Sequence, residues 1–190
     1  MTVERIGKEI LNKLKAENEK IEKGNIVFLN GVTSSGKTSI VDAIQASSED
    51  IYYVVANDLF EEMIGDRYLR EDYWKHLSEL IIMMYHTAKL FSDLGKHVLI
   101  DGILVERPEL APHYEKVKAL FAGYPFYMIE VYCPLDICRQ RNIERGNRGE
   151  NQSQEQHDMM AQHIDYHFTV NTHQNTSEEC AQLILKSLVD

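Results

Sequence analysis

Cysteine is scarce in this 190-residue chain, which carries only Cys133, Cys138 and Cys180. An odd number without C-x-x-C spacing supplies neither a disulfide framework nor a zinc pattern, and it suits a reducing compartment. Long hydrophobic runs are lacking too. Leu80 to Tyr85 is far shorter than the ~20 apolar residues that span a bilayer. The opening MTVERIGKEILNKLKAENEK is too charged for a signal peptide. Positive charge is in deficit: 20 Lys and Arg stand against 30 Asp and Glu, a formal net charge of −10. A nucleic acid or an acidic membrane would be repelled, whereas a small anion is admissible wherever the surface is locally basic. These absences predict a soluble cytoplasmic protein with no nucleic-acid or membrane partner. They leave its oligomeric state open.

The content is that of a globular chain, 44% hydrophobic and 26% charged. Its length predicts one domain that buries about 70% of its unfolded surface. Residues 1–24 place Val3, Ile6, Ile10, Leu14 and Ile21 among Lys and Glu at helical spacing, an amphipathic helix ahead of the main domain. From residue 25 to 190 apolar runs alternate with helical stretches. Asn25–Asn30, Ile51–Val55, His97–Ile100 and Phe126–Tyr132 read as strands buried on both faces. Tyr166, Phe168 and Val170 alternate, predicting a fifth strand at the sheet's edge. A helix is expected over 72–94. Others open at Pro112 and Pro134, and both Ser153-x-x-Gln156 and Thr176-x-x-Glu179 have the spacing of capping boxes. This pattern specifies a three-layer α/β fold.

The chemistry begins at Gly31-Val-Thr-Ser-Ser-Gly36-Lys37-Thr38, a match to G-x-x-x-x-G-K-[ST] between a strand and a helix. Gly31 and Gly36 let the backbone curl close to a phosphate. Thr33, Ser34, Ser35 and Ser39 extend the polar cradle at a helix N-terminus. Lys37 supplies a mobile charge for the β- and γ-phosphates of ATP, and the Thr38 hydroxyl suits Mg²⁺. Asp101, at the end of His97-Val-Leu-Ile-Asp101-Gly102, is either a second residue for Mg²⁺ or a turn aspartate. Asp58, which ends Tyr52-Tyr-Val-Val-Ala-Asn57-Asp58, is either a helix cap or an acid placed to take the proton of an attacking hydroxyl; the two can both hold.

Arg141, Arg145 and Arg148 are spaced to share one helical face, exceptional in so acidic a chain. They read either as a solvated face paired with Glu144 and Glu150 or as the arginines of a lid, at about residues 141–154, that close over phosphates. His163 and His167 have helical spacing, but Tyr166–Asn171 reads as a strand and a metal site there is not expected. Cys133 reads as inert core. Phe60, Tyr68, Tyr73, Trp74 and Tyr85 fit an acceptor pocket or plain packing equally well.

Taken together, Ile-Val-Phe-Leu-Asn-Gly-Val-Thr-Ser-Ser-Gly-Lys-Thr-Ser-Ile, Asn-Asp-Leu, Leu-Ile-Asp-Gly and Cys-Pro-Leu…Arg…Glu-Arg-Gly-Asn-Arg resemble the chloramphenicol phosphotransferase-like family of P-loop kinases. The tail Tyr166-His-Phe-Thr-Val-Asn-Thr172 resembles that family's closing strand. The likeness covers about residues 25–188. It implies a five-stranded parallel sheet in the order 2-3-1-4-5 with a helical lid, and ATP-dependent phosphorylation of a small-molecule hydroxyl. It implies Asp58 as the base, Lys37, Arg145 and Arg148 in catalysis, Arg141 on the nucleotide, and Thr38 and Asp101 on Mg²⁺. Two other readings stand beside it. One is a kinase of a nucleotide sugar, nucleoside or sugar acid. The other is a nucleotide-binding switch with little turnover.

Overall fold

Strands made of continuous apolar residues need cover on both faces, and the central strand shows this most plainly. In β1 (Ile26–Asn30) all five residues are buried. Successive side chains point to opposite faces, so Ile26 and Phe28 enter one core while Val27 and Leu29 enter the other. The structure is a computed structural model that describes residues 21–146, 149 and 151–188. Most of the expected N-terminal helix, together with Arg148, lies outside the described residues.

The other strands are β2 (Tyr52–Ala56), β3 (His97–Gly102), β4 (Phe126–Tyr132) and β5 (Phe168–Asn171). All pair in parallel, in the order β2-β3-β1-β4-β5. The alternating segment is thus an edge strand, starting at Phe168 rather than Tyr166. Register brings Ala56 level with Asp101, and Asn30 level with Gly102. The chemistry-bearing residues that follow β1, β2 and β3 therefore emerge at one edge of the sheet.

The helices are α1 (Lys37–Ser47), α2 (Asn57–Glu61), α3 (Asp66–Glu71), α4 (Tyr73–Asp93), α5 (His113–Leu120), α6 (Leu135–Arg145), α7 (Gln152–Met159) and α8 (Ser177–Ser187). On one face α4 packs Leu77, Ile81, Met84 and Ala88 against Ile26, Phe28, Val98 and Ile100. On the other, Ile40 and Ile44 of α1 and Ala181 and Ile184 of α8 cover Val27, Leu29, Leu99 and Ile129. Each of the Val, Leu, Ile, Phe and Met side chains among these stabilises by about 1.5–3 kcal/mol on full burial.

Pro134 precedes α6, which ends at Gly146 in the left-handed region (φ 68°), where a side chain would be strained. The capping box at α8 is formed. Thr176 Oγ1 accepts the Glu179 N–H (3.2 Å), and Glu179 Oε2 accepts the Thr176 N–H (2.8 Å). The one expected at Ser153 and Gln156 is not. The N-cap of α7 is Asn151, without a side-chain cap. Ser153 and Gln156 lie inside the helix, with partners on other elements. Among the described residues no helix is long and apolar enough to cross a membrane.

Candidate functional site

The turn after β1 admits no side chain at its start. A Cβ on Gly31 would stand 2.6 Å from the Val131 carbonyl oxygen and 2.7 Å from Ser35 Oγ. Ser34 (φ 59°) and Gly36 (φ 100°) both take the left-handed conformation. Such a turn gathers backbone N–H groups into a concavity suited to anions. α1 then starts at Lys37 with no side-chain cap, so its first N–H groups and dipole face the same space.

Asp101 ties this loop to β3. Lys37 Nζ donates to the carbonyls of Gly31 (2.9 Å) and Val32 (3.1 Å) and lies 3.8 Å from Asp101 Oδ1. Thr38 Oγ1 donates to Asp101 Oδ2 (2.8 Å). The carboxylate therefore has a cation near one oxygen and a hydroxyl on the other, and the plain turn reading of Asp101 fails. Thr38 and Asp101 offer two adjacent hard oxygen donors, a set that fits Mg²⁺. No group of three or more His, Cys, Asp or Glu among the described residues is placed to hold a metal ion. A cation would thus have to complete its shell with oxygens of a bound phosphate and water.

Asp58 does not end β2, which stops at Ala56. It is the second residue of α2, whose N-cap is Ala56 with no side-chain cap, so the capping reading fails. Asp58 is exposed and lines the same cleft as Lys37 and Asp101. The cleft measures about 740 Å³. Ser39, Thr33, Ser34 and Gly36 of the loop line it as well. Beside Asp58, Asn57 carries a buried Oδ1 without a hydrogen-bond partner, close to Gly102.

The arginines divide. Arg141 donates from Nη1 to the Ser34 carbonyl (3.3 Å) and Thr172 Oγ1 (3.2 Å), and from Nη2 to the Thr172 carbonyl (3.0 Å). Thr172 in turn donates to the Ser35 carbonyl (2.6 Å). Arg141 thus fastens the loop to the end of β5, which no solvated surface arginine does. Arg145 is exposed at the cleft lining. Glu144 accepts from Gln140 Nε2 (2.9 Å), a pairing within α6.

Three residues of this site escaped sequence reasoning. Asn142 is fully buried; its Oδ1 accepts from Ser34 Oγ (2.6 Å) and its Nδ2 donates to Ser153 Oγ (3.1 Å). Gln156 Oε1 accepts the Thr33 backbone N–H. Asn30, also fully buried, accepts the Leu104 N–H (2.8 Å) and donates to the Tyr166 hydroxyl (2.6 Å). Burial pushes that hydroxyl up to about 12. Asn142 left a trace in the sequence, a polar residue one helical turn after Cys138 on the buried face of α6, and Gln156 left a misleading one, the spacing of a capping box that does not form. Burial also pushes the Cys138 thiol up to about 12, which keeps it protonated and unreactive.

Known proteins place this arrangement. The adenylyl-sulfate kinase of Buchnera aphidicola subsp. Schizaphis graminum is 21% identical over 141 residues, 73% of this chain and 64% of that protein. A probable adenylyl-sulfate kinase of Bacillus subtilis is 28% identical over 134 residues, 63% of this chain and 59% of that protein. The chain thus spans less than two thirds of the length of either. Among solved structures, the Mycobacterium tuberculosis APS kinase in complex with AMPPNP and APS superposes with a TM-score of 0.64 at 19% identity, covering 88% of this chain and 99% of that one. The shikimate kinase of Acinetobacter baumannii in complex with shikimate gives 0.63 at 16% identity, covering 90% and 97%. At such identities the superpositions establish the fold, a P-loop kinase fold. Residues 24–189, which include the whole sheet, the loop and the cleft just described, match the family model of the chloramphenicol phosphotransferase-like proteins, and the chain belongs to that family.

Proposed function

We propose that the protein is a kinase that transfers the γ-phosphoryl group of ATP to the hydroxyl of a small molecule. The observation that carries this is the convergence of Lys37, Thr38, Asp101 and Asp58 on one cleft at the edge where β1, β2 and β3 end. In this reading Gly31 and Gly36 shape the cradle, and the N–H groups from Ser34 to Ser39 hold the phosphates. Lys37 exchanges its backbone carbonyls for the β- and γ-phosphates. Thr38 and Asp101 would hold Mg²⁺, which when bound neutralises phosphate charge. Arg141 keeps the loop in shape beside the nucleotide.

Asp58 accepts the proton of the acceptor hydroxyl as its oxygen bonds to the γ-phosphorus. The bond to the β,γ-bridging oxygen breaks, and ADP leaves with the electron pair. Within the proposed lid at about residues 141–154, Arg145 and Arg148 close over the phosphates while Arg141, Asn142 and Ser153 stay bonded as its base; Arg148 is outside the described residues. With Lys37, Arg141 and Arg145 assigned to the loop and the phosphates and Asp101 to Mg²⁺, the charged groups left in the cleft lining are the carboxylates Asp42, Asp58 and Glu144. That lining suits an uncharged alcohol better than a sugar acid or a sulfated nucleotide, whose charge would meet carboxylates without compensation.

ATP consumption measured across neutral hydroxylated antibiotics, nucleosides and acid-bearing sugars tests the reading. An acceptor-dependent rate from the neutral group is expected. Asp58→Asn should then lower kcat by about 10²–10⁴-fold with nucleotide affinity little changed, and Lys37→Ala should lower turnover by about 10²-fold or more. Tight nucleotide binding without acceptor-dependent turnover would favour the switch instead.

A further inference from the structure

Gln156 lies in the second turn of α7, half-buried, and lines the same cleft as Lys37, Asp58 and Asp101. Its Oε1 accepts the N–H of Thr33, the amide immediately before the run that starts at Ser34. α7 has a separate anchor in this place. Ser153, three residues earlier, is fully buried and receives the hydrogen bond from Asn142, which is itself bonded to Ser34. Further along, the Met159 carbonyl accepts the Glu106 N–H (2.7 Å). The helix thus has anchors on either side of Gln156 that do not depend on it.

A side-chain amide has an acceptor and two donors. With Oε1 engaged by Thr33, the Nε2 donors are what Gln156 offers the cleft. They are uncharged, they are carried on a helix, and they are oriented by a backbone group. Donors held in this way act most strongly where charge develops, and a phosphoryl group in flight spreads its charge over its equatorial oxygens.

We infer that Gln156 is a further catalytic residue: the Thr33 N–H orients its amide, and Nε2 donates to an oxygen of the phosphoryl group during transfer. This rests on the kinase reading above. Gln156 forms no covalent bond and gives up no proton; the proton goes to Asp58 and the electron pair to ADP. Its contribution is one hydrogen bond that forms fully only in the transition state.

Two variants separate this role from a structural one. Gln156→Glu keeps an acceptor for Thr33 and loses the donor. Gln156→Met keeps the length and loses both. The measurement needs no acceptor molecule: the dissociation constant of ADP with Mg²⁺ is determined with and without aluminium fluoride, which mimics the moving phosphoryl group. The wild type should bind ADP more tightly with the fluoride. Both variants should bind ADP alone within about threefold of wild type for Met and somewhat more weakly for Glu, and lose about tenfold or more of the fluoride-dependent tightening, the worth of one hydrogen bond to a charged group. Full tightening in a folded Met variant, or in the Glu variant should Met not fold, overturns the inference. A wild type that binds ADP but gains nothing from fluoride overturns it too. A wild type that does not bind ADP at all refutes the kinase reading itself.

Discussion

Asn142→Ala removes a buried polar link and leaves the proposed catalytic groups unchanged. Asn142 is 0% exposed, as is Ser153, and the two are bonded at 3.1 Å, while Ser34 Oγ reaches Asn142 at 2.6 Å. Truncation removes both bonds, worth about 1 kcal/mol each net. It also leaves Ser153 Oγ in a buried place without its partner, a further ~1–2 kcal/mol. Ser34 is only half-buried, so water can replace its lost partner. The sum is about 3 kcal/mol, which lowers the melting temperature by about 6–12 °C for a chain of this size. Urea unfolding followed by circular dichroism measures it. Ser153→Ala on the Asn142→Ala background should cost about 1 kcal/mol less than on the wild type, because its partner has already gone. A loss under about 0.5 kcal/mol for Asn142→Ala, or strict additivity of the pair, would refute the view that these bonds hold α6 and α7 to the loop.

Two further outcomes follow from other parts of the molecule. His113 is 2% exposed, with Nε2 2.8 Å from the Tyr85 hydroxyl and Glu106 and Lys116 nearby with opposing effects; burial pushes its pKa down to about 4 from 6.5. The unfolded chain takes up a proton near pH 6.5 that the folded one refuses until about 4, so stability is intact above that window and falls as pH drops through it, by about 2 kcal/mol between pH 7 and 5. His113→Gln should flatten that slope in urea titrations, and an unchanged slope contradicts the assignment. In the proposed lid, amide hydrogen exchange around Arg145 should slow when a non-hydrolysable ATP analogue binds, and Arg145→Ala should reduce kcat more than nucleotide affinity; equal exchange with and without the analogue would make this stretch a fixed surface.

The same four-residue spacing occurs twice in this chain with opposite outcomes, and the contrast marks what a sequence can disclose. Thr176 and Glu179 find their partners in each other's backbone, three residues apart, so the spacing alone contains the answer. Ser153 and Gln156 are drawn instead to Asn142 and Thr33, 11 and 123 residues away along the chain. Nothing local distinguishes the two cases. The apolar runs were legible for the first reason: a strand with Ile26, Val27, Phe28 and Leu29 needs two covered faces wherever it lies, so a layered sheet follows from one segment. The loop from Gly31 to Thr38 was legible because its conformational and charge requirements are met within eight consecutive positions. Asp58 lines the same cleft as Lys37 and Asp101 but lies in the first turn of α2 and not at the strand end, since β2 stops two residues earlier and α2 starts without a side-chain cap. Local signals thus locate the phosphate cradle and the strand ends around it. The groups that fasten that cradle, Arg141 through Thr172 and Asn142 through Ser153, are fixed by which distant elements the sheet order brings together. An unpaired partner in these buried places is costly, yet which partner each group meets is not written in local spacing, even where the group itself, like Arg141, stands out in the sequence.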